Sequence, residues 1–292
     1  MGARPFRGSD ARLRGELTEH QLSHDYTRIY RDVYIARGAE IDAKVRALAA
    51  WEFAGPDAVL TGLSAAALHG AKWIDPSRPA ELVKPCHFAS PTGLVVRHYA
   101  IARDEILRRA GIRLTTEVRT AFDLGRLGNG DDAIVHLDAL CNATGLKPLE
   151  IAALLDRHRG MRGVARLRRS LPLVDGGAES PPETRTRLAL VRAGLSPPVT
   201  QVVVTDERGR FVARADMGWP KWRVLVEYQG EQHWTDRRQR AGDIERYARL
   251  EALGWRVVHV GAELLADRPA ELVGRVRTML RAAGYADGAV VG

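Results

Sequence analysis

Asp216 and Glu227 are the residues of this 292-residue chain whose types and spacing first suggest chemistry. The stretch DMGWPKWRVLVEYQGEQHW, residues 216 to 234, opens on one acid and passes a turn-like Gly-Trp-Pro. It then runs through the apolar Val224-Leu225-Val226 to the second acid, and Gln229, Gly230 and His233 follow at once. So short a connection predicts two antiparallel neighbouring strands, on which facing residues meet within about 5 Å. The period of two places Leu225, Glu227 and Gln229 on one face. Two carboxylates and an amide oxygen make a hard oxygen site of the kind Mg²⁺ (or Mn²⁺) takes, with water and phosphate completing the octahedron. An ion held there activates a water and stabilises a phosphate under attack. The plainer alternative for Glu227 is an ion pair with an arginine such as Arg214.

Several elements must position these residues. SPPETRTRLALVRAGL predicts a helix capped by Ser180, with Pro181 in its first turn and Gly194 at its end. Glu183 stands where it closes a capping box with Ser180. VTQVVVTDERGRFVARADM predicts a hairpin turning at Asp206 to Gly209, and KWRVLVEYQ a third strand. A helix from about Asp236 to Leu253, a strand WRVVHV and a last helix ELVGRVRTMLRAAG complete the order. Arg237, Arg238 and Arg240 open the first of these helices, as a solvated basic turn or as phosphate contacts beside a metal. Asp243 and Arg246, three apart on it, form an ordinary surface pair.

Upstream, Thr18 and Gln21 form a capping box, TRIYRDVYIARG alternates as a strand does, and DAKVRALAAWEFAG is helical until Gly55-Pro56. Ser64 is expected to cap the short helix AAALHGA. Small helices followed by strands predict a winged helix-turn-helix over residues 1–79. Residues 80–176 predict a mixed α/β connecting domain with helices in TTEVRTAFDLGRLG, DDAIVHLDALCNATG and PLEIAALLDRHRG, and no site chemistry. VDGGAESPPE marks the boundary before a third domain, residues 177–292.

The net charge of +8 points to a polyanionic partner, nucleic acid first. Only five of the 44 basic residues are lysines, a skew that coding bias also produces. Cys86 and Cys141 stand apart, which argues against a zinc site and for a reducing cytoplasm. No apolar run reaches the ~18 residues of a membrane helix, so no membrane is expected as partner.

ARADMGWPKWRVLVEYQGEQHW, with DIERYARLEALGWRVVHV behind it, resembles the PD-(D/E)XK nuclease superfamily, in the branch related to very-short-patch repair endonucleases. The likeness covers roughly residues 178 to 285. It implies a restriction-endonuclease-like α-β-β-β-α-β core and Mg²⁺-dependent hydrolysis of DNA phosphodiesters. Asp216 matches the metal-binding aspartate, Glu227 the second acid, His233 a histidine common in this branch and Glu183 the acid on the first helix. Gln229 stands where many members carry a lysine that orients water or stabilises charge, and this departure supports an alternative: a catalytically inactive DNA-binding regulator using the fold as scaffold. An RNA nuclease is a third reading. ELTEHQL, RIYRDVYIARG and AVLTGLSAAALHGA resemble the winged-helix domain of AbiEi-type antitoxins. That likeness implies DNA binding, in phage defence or a toxin–antitoxin setting.

Overall fold

A computed structural model describes residues 4–85, 90–230 and 237–286, and the side chains of 237–241 lie outside that description. The chain is a mixed α/β protein with three sheets among the described residues, and it divides into two compact units, Met1–Gly176 and Gly177–Gly292. Among the described residues no helix is long and apolar enough to cross a membrane.

The first unit opens with β1 (Phe6–Arg7), α1 (Gly8–Leu13), α2 (Glu19–Asp25), β2 (Tyr26–Tyr30) and β3 (Val33–Ala36). The strands form an antiparallel sheet in the order β1-β3-β2. Thr18 and Gln21 close the expected capping box on α2. The single strand read through residues 27–38 is instead a hairpin, β2 to β3. Asp32 turns it with φ 63°, a conformation a short polar residue tolerates when its side chain bonds locally. Here its carboxylate accepts from the Ser9 amide and hydroxyl.

α3 (Ala43–Ala54), β4 (Val59–Leu60), α4 (Gly62–Leu68), β5 (Ala80–Val83), β6 (Leu94–Arg97), β7 (Ile106–Arg109) and β8 (Ile112–Thr115) follow. Their strands form one mixed sheet in the order β6-β5-β4-β8-β7, so β4 lies at its centre with strands from beyond residue 80 on both sides. Ser64 does not cap α4. It sits within the helix, where its hydroxyl accepts the Glu81 amide at 2.8 Å, and Thr61 takes the cap position.

Four helices complete this unit: α5 (Glu117–Leu127), α6 (Gly130–Thr144), α7 (Pro148–Arg157) and α8 (Val164–Ser170). α5 is buried on nearly every side, including Arg119, Asp123 and Arg126. Asp123 accepts from Arg119 Nε at 3.0 Å, Arg126 Nε at 2.7 Å, and the hydroxyls of Thr61 and Tyr99 at 2.9 Å each. Arg119 also pairs with buried Glu105, to which His158 bonds. Burial, with the Asp123 charge behind it, pushes the Tyr99 phenol up to about 12. The central helix is thus stapled by charge as well as by the apolar cluster around Phe122, Leu137 and Ile151.

The second unit comprises α9 (Pro181–Arg192), β9 (Val199–Thr205), β10 (Phe211–Trp219), β11 (Val224–Tyr228), α10 (Arg237–Ala252), β12 (Arg256–Val260), α11 (Ala262–Ala266) and α12 (Pro269–Ala282). Ser180 caps α9, and Asp206 to Gly209 turns the β9–β10 hairpin. α11 has no counterpart in the sequence reading. The sheet runs β12-β11-β10-β9, antiparallel except for the parallel β11–β12 pair that α10 connects. Met217, Trp219, Val224 and Val226 pack with residues of α9 and α12, whereas Ala213, Ala215 and Leu225 pack with Leu250 and Tyr247 of α10. Ala215 and Met217, two apart on one strand, should share a face. They pack in different clusters although the β9–β10 register runs unbroken through them, Ala215↔Val202 and Met217↔Thr200; Gln201, opposite this step, has φ 51°. Asp216 sits between the two.

Candidate acidic site

Asp216 and Glu227 flank the end pair of the β10–β11 ladder, Met217↔Val226. The register runs on from there through Gly218↔Leu225. The β-turn chemistry of Pro220–Trp222 and Arg223, with φ 50°, returns the chain tightly enough to fix this register. An Asp216 carboxylate oxygen accepts the Tyr228 amide at 2.7 Å, tying the end of β10 to β11. Burial first, then the charges of Glu183, Glu227 and Glu179, push the Asp216 carboxyl up to about 7, against the opposing pull of the Tyr228 amide.

Glu183 serves the helix end and the acid cluster together. Its carboxylate accepts from the Ser180 hydroxyl and the Glu179 amide at 2.8 Å each, and from Gln201 Nε2 at 3.2 Å. Burial, then the Glu179 charge, raises its pKa, opposed by those hydrogen bonds and Arg214. Arg214 pairs at the surface with Glu179, not with Glu227.

Glu227 is 6% exposed and is held from α10. Arg246 grips it with both guanidinium arms, at 2.8 and 3.1 Å, and the Tyr247 hydroxyl donates at 2.7 Å. Arg246 also reaches Asp243 at 3.3 Å. A bidentate, charge-assisted pair of this kind is strong and directional. Gln229 lies on the same side: its amide nitrogen donates to His259 Nδ1 at 2.9 Å and approaches the Tyr247 hydroxyl at 3.4 Å. His259 is the parallel-strand partner of Glu227, and burial lowers its pKa.

His233 lies outside the described residues, and so do the side chains of Arg237, Arg238 and Arg240, whose backbone opens α10. The structure brings together Asp216, Glu183 and Glu227 from three elements. Among the described residues, no three His, Cys, Asp or Glu side chains converge tightly enough to hold an ion by themselves.

Two uncharacterized proteins from two strains of Mycobacterium tuberculosis are each 29% identical to this chain over 250 residues, which cover 85% of this chain and 90% of the relative. No protein-family profile and no solved structure matches the chain.

Chemically, the cluster is a set of hard anionic oxygens in which one, Asp216, is kept from ionising easily. Tyr247 and His259 escaped the sequence reading. His259 had a signal: it interrupts the apolar run of β12 at the position where the parallel register meets Glu227. Tyr247 had none, since one tyrosine beside an arginine on a polar helix reads as surface.

A pH effect follows. Asp216 is raised above the roughly 3.9 of an unfolded aspartate, so the folded, metal-free protein binds the extra proton between about pH 4 and 7. Stability therefore falls as pH rises through that window and levels off above it. Asp216→Asn removes the effect while keeping the acceptor for Tyr228. In EDTA the variant should gain on the wild type by up to about 2–3 kcal/mol from pH 5 to pH 8. A difference in urea stability between the two proteins that stays flat with pH would refute the crowding of Asp216.

Proposed function

We propose that residues 177–292 form a Mg²⁺-dependent endonuclease centre acting on DNA phosphodiesters, in a cytoplasmic DNA-binding protein. One observation carries the reading: half-buried Asp216 on β10 is crowded by the charges of Glu183 and Glu227. Carboxylates gathered this way are unfavourable unless a cation or a proton joins them. The donor set suits a small hard dication bound through one or two carboxylates, with water and substrate phosphate supplying the remaining ligands. Asp216 and Glu227 would hold it, and it would supply charge neutralisation and an acidified water.

The chain's own residues do the rest. The Tyr228 amide fixes one oxygen of Asp216. Arg246 and Tyr247 hold the Glu227 carboxylate in one orientation, which lowers the reorganisation the site needs. Gln229 brings no charge to the position of the motif lysine. Arg246, beside Glu227, brings a cation from the following helix. The likeness of residues 10–75 to AbiEi-type antitoxins suggests a phage-defence or toxin–antitoxin setting for this activity.

One observation favours a second reading. Glu227 is already saturated by Arg246 and Tyr247, and Gln229 by His259, which suits a DNA-binding regulator with an inert nuclease-like unit. A plasmid-nicking assay decides between them. The full-length protein should convert supercoiled to open-circular DNA in Mg²⁺ or Mn²⁺ and leave it intact in EDTA. DNA binding without nicking in either metal would establish the regulator.

A further inference from the structure

The nuclease reading gives the second unit a chemistry but assigns no surface on the first unit to grip the substrate. The α7–α8 corner fits that role. Residues 157 to 174 carry six arginines, Arg157, Arg159, Arg162, Arg166, Arg168 and Arg169, and no acid. All six are exposed. Arg157 pairs with Asp104 and Arg159 with Asp156. Arg166 donates to the Gly128 carbonyl and the Asn129 amide oxygen, neither of which cancels its charge. Arg162, Arg168 and Arg169 have no carboxylate partner among the described residues.

The corner that carries them is rigid. Val164 and Leu167 bury the inner stripe of α8, so Arg166, Arg168 and Arg169 face outward. Gly163 enters the helix at φ 88°, and a Cβ on it would stand 2.0 Å from the Arg126 carbonyl oxygen, so the turn is pinned against α5. Folding does not require the charges. Arg168 and Arg169 offset the dipole at the C-terminus of α8, but Arg162 precedes its N-terminus, where a cation is unfavourable.

The helix that a winged helix-turn-helix would offer to DNA has the opposite character. α2 reads EHQLSHD, with two acids and no lysine or arginine, and Arg12 is tied to Glu19. α2 therefore brings no lysine or arginine to a phosphate backbone, whereas the α7–α8 corner brings several.

We propose that Arg162, Arg166, Arg168 and Arg169 form a docking surface for the phosphate backbone of duplex DNA, an inference that rests on DNA being the substrate. Guanidinium groups bind phosphate oxygens bidentately and are less strongly hydrated than ammonium groups. No exposed aromatic residue interleaves with them among the described residues, so neither single-strand base stacking nor a membrane anchor is provided for.

The test uses full-length protein and fluorescence anisotropy of a short labelled DNA duplex across a salt series. Arg162→Ala/Arg168→Ala/Arg169→Ala should weaken binding at least about tenfold at low salt. It should also flatten the log–log salt slope by roughly 2–3, because each lost phosphate contact removes about 0.9 from it. Glutamine at the same positions should act alike, while Arg268→Ala/Arg275→Ala, two exposed arginines already ion-paired with Glu263 and Glu271, should leave the slope unchanged. Unchanged affinity and slope in folded triple variants would overturn the surface, as would tighter binding to phosphatidylserine vesicles than to DNA. The two readings fail separately. Slope-sensitive binding without nicking leaves the surface standing and removes the nuclease. Nicking with an unaffected triple variant removes the surface alone.

Discussion

Asp216→Asn should slow DNA cleavage about 10²–10³-fold while leaving duplex affinity unchanged. Removing one anionic metal ligand withdraws roughly 3–4 kcal/mol from the transition state. The variant keeps the oxygen that accepts the Tyr228 amide, so the β10–β11 ladder stays closed. It also relieves repulsion from Glu183 and Glu227 and folds at least as stably as the wild type. Glu227→Gln should slow cleavage as much but at a different structural expense. Glu227 is buried and carries both arms of Arg246, so the amide leaves a half-buried guanidinium with only the longer contact to Asp243 as counter-charge. It should therefore lose stability where Asp216→Asn gains it. Single-turnover nicking and thermal melts on the same preparations separate the two effects. Cleavage by either variant within threefold of wild type would sink the assignment of that residue.

Arg119→Ala should destabilise the first unit by about 3–5 kcal/mol, the loss expected when one member of a buried ion pair is removed. Arg119 and Asp123 have fully buried side chains and Glu105 is 3% exposed, so the deletion leaves two carboxylates deprived of their guanidinium. Tyr99, Thr61 and Arg126 still bond Asp123, whereas Glu105 keeps only His158 at 2.6 Å and the exposed Arg157 at 3.6 Å. Urea unfolding of the full chain followed by tryptophan fluorescence and circular dichroism should show an early transition that spares residues 177–292. A shift below about 1 kcal/mol would mean that water or repacking substitutes for the guanidinium.

Much of the second unit was legible because its signals are local. Ser180 before Pro181, the Asp-Glu-Arg-Gly turn and the apolar runs of β11 and β12 each specify an element within a few residues. The antiparallel pairing of β10 with β11 followed from a short connection. The change of packing cluster between Ala215 and Met217 did not follow, and nothing about Gln201 announces a positive φ. Arg246 was visible as a helix neighbour of Asp243, but its grip on Glu227 depends on how α10 packs across the sheet.

The first unit was harder. Its central sheet alternates parallel and antiparallel neighbours drawn from residues 59 to 115, and β4 contributes only two residues to it. A strand that short leaves no periodic pattern. The stripe Arg119, Asp123, Arg126 reads as a solvated helix face, because sequence spacing cannot tell charges facing water from charges facing one another. α8 and its arginines likewise pass for polar surface until the partners of each are known.

The parallel pairing of β11 with β12 has a consequence for the order in which the second unit assembles. β9, β10 and β11 close through short turns, so the acids on β10 and β11 meet at little loss of chain entropy. Arg246, Tyr247 and His259 arrive only when the long α10 crossover has closed, a step of higher contact order. The carboxylates therefore convene before their counter-charge does. In a nascent chain that interval leaves the acids open to solvent cations, and the guanidinium lid is the last part of the site to be laid down.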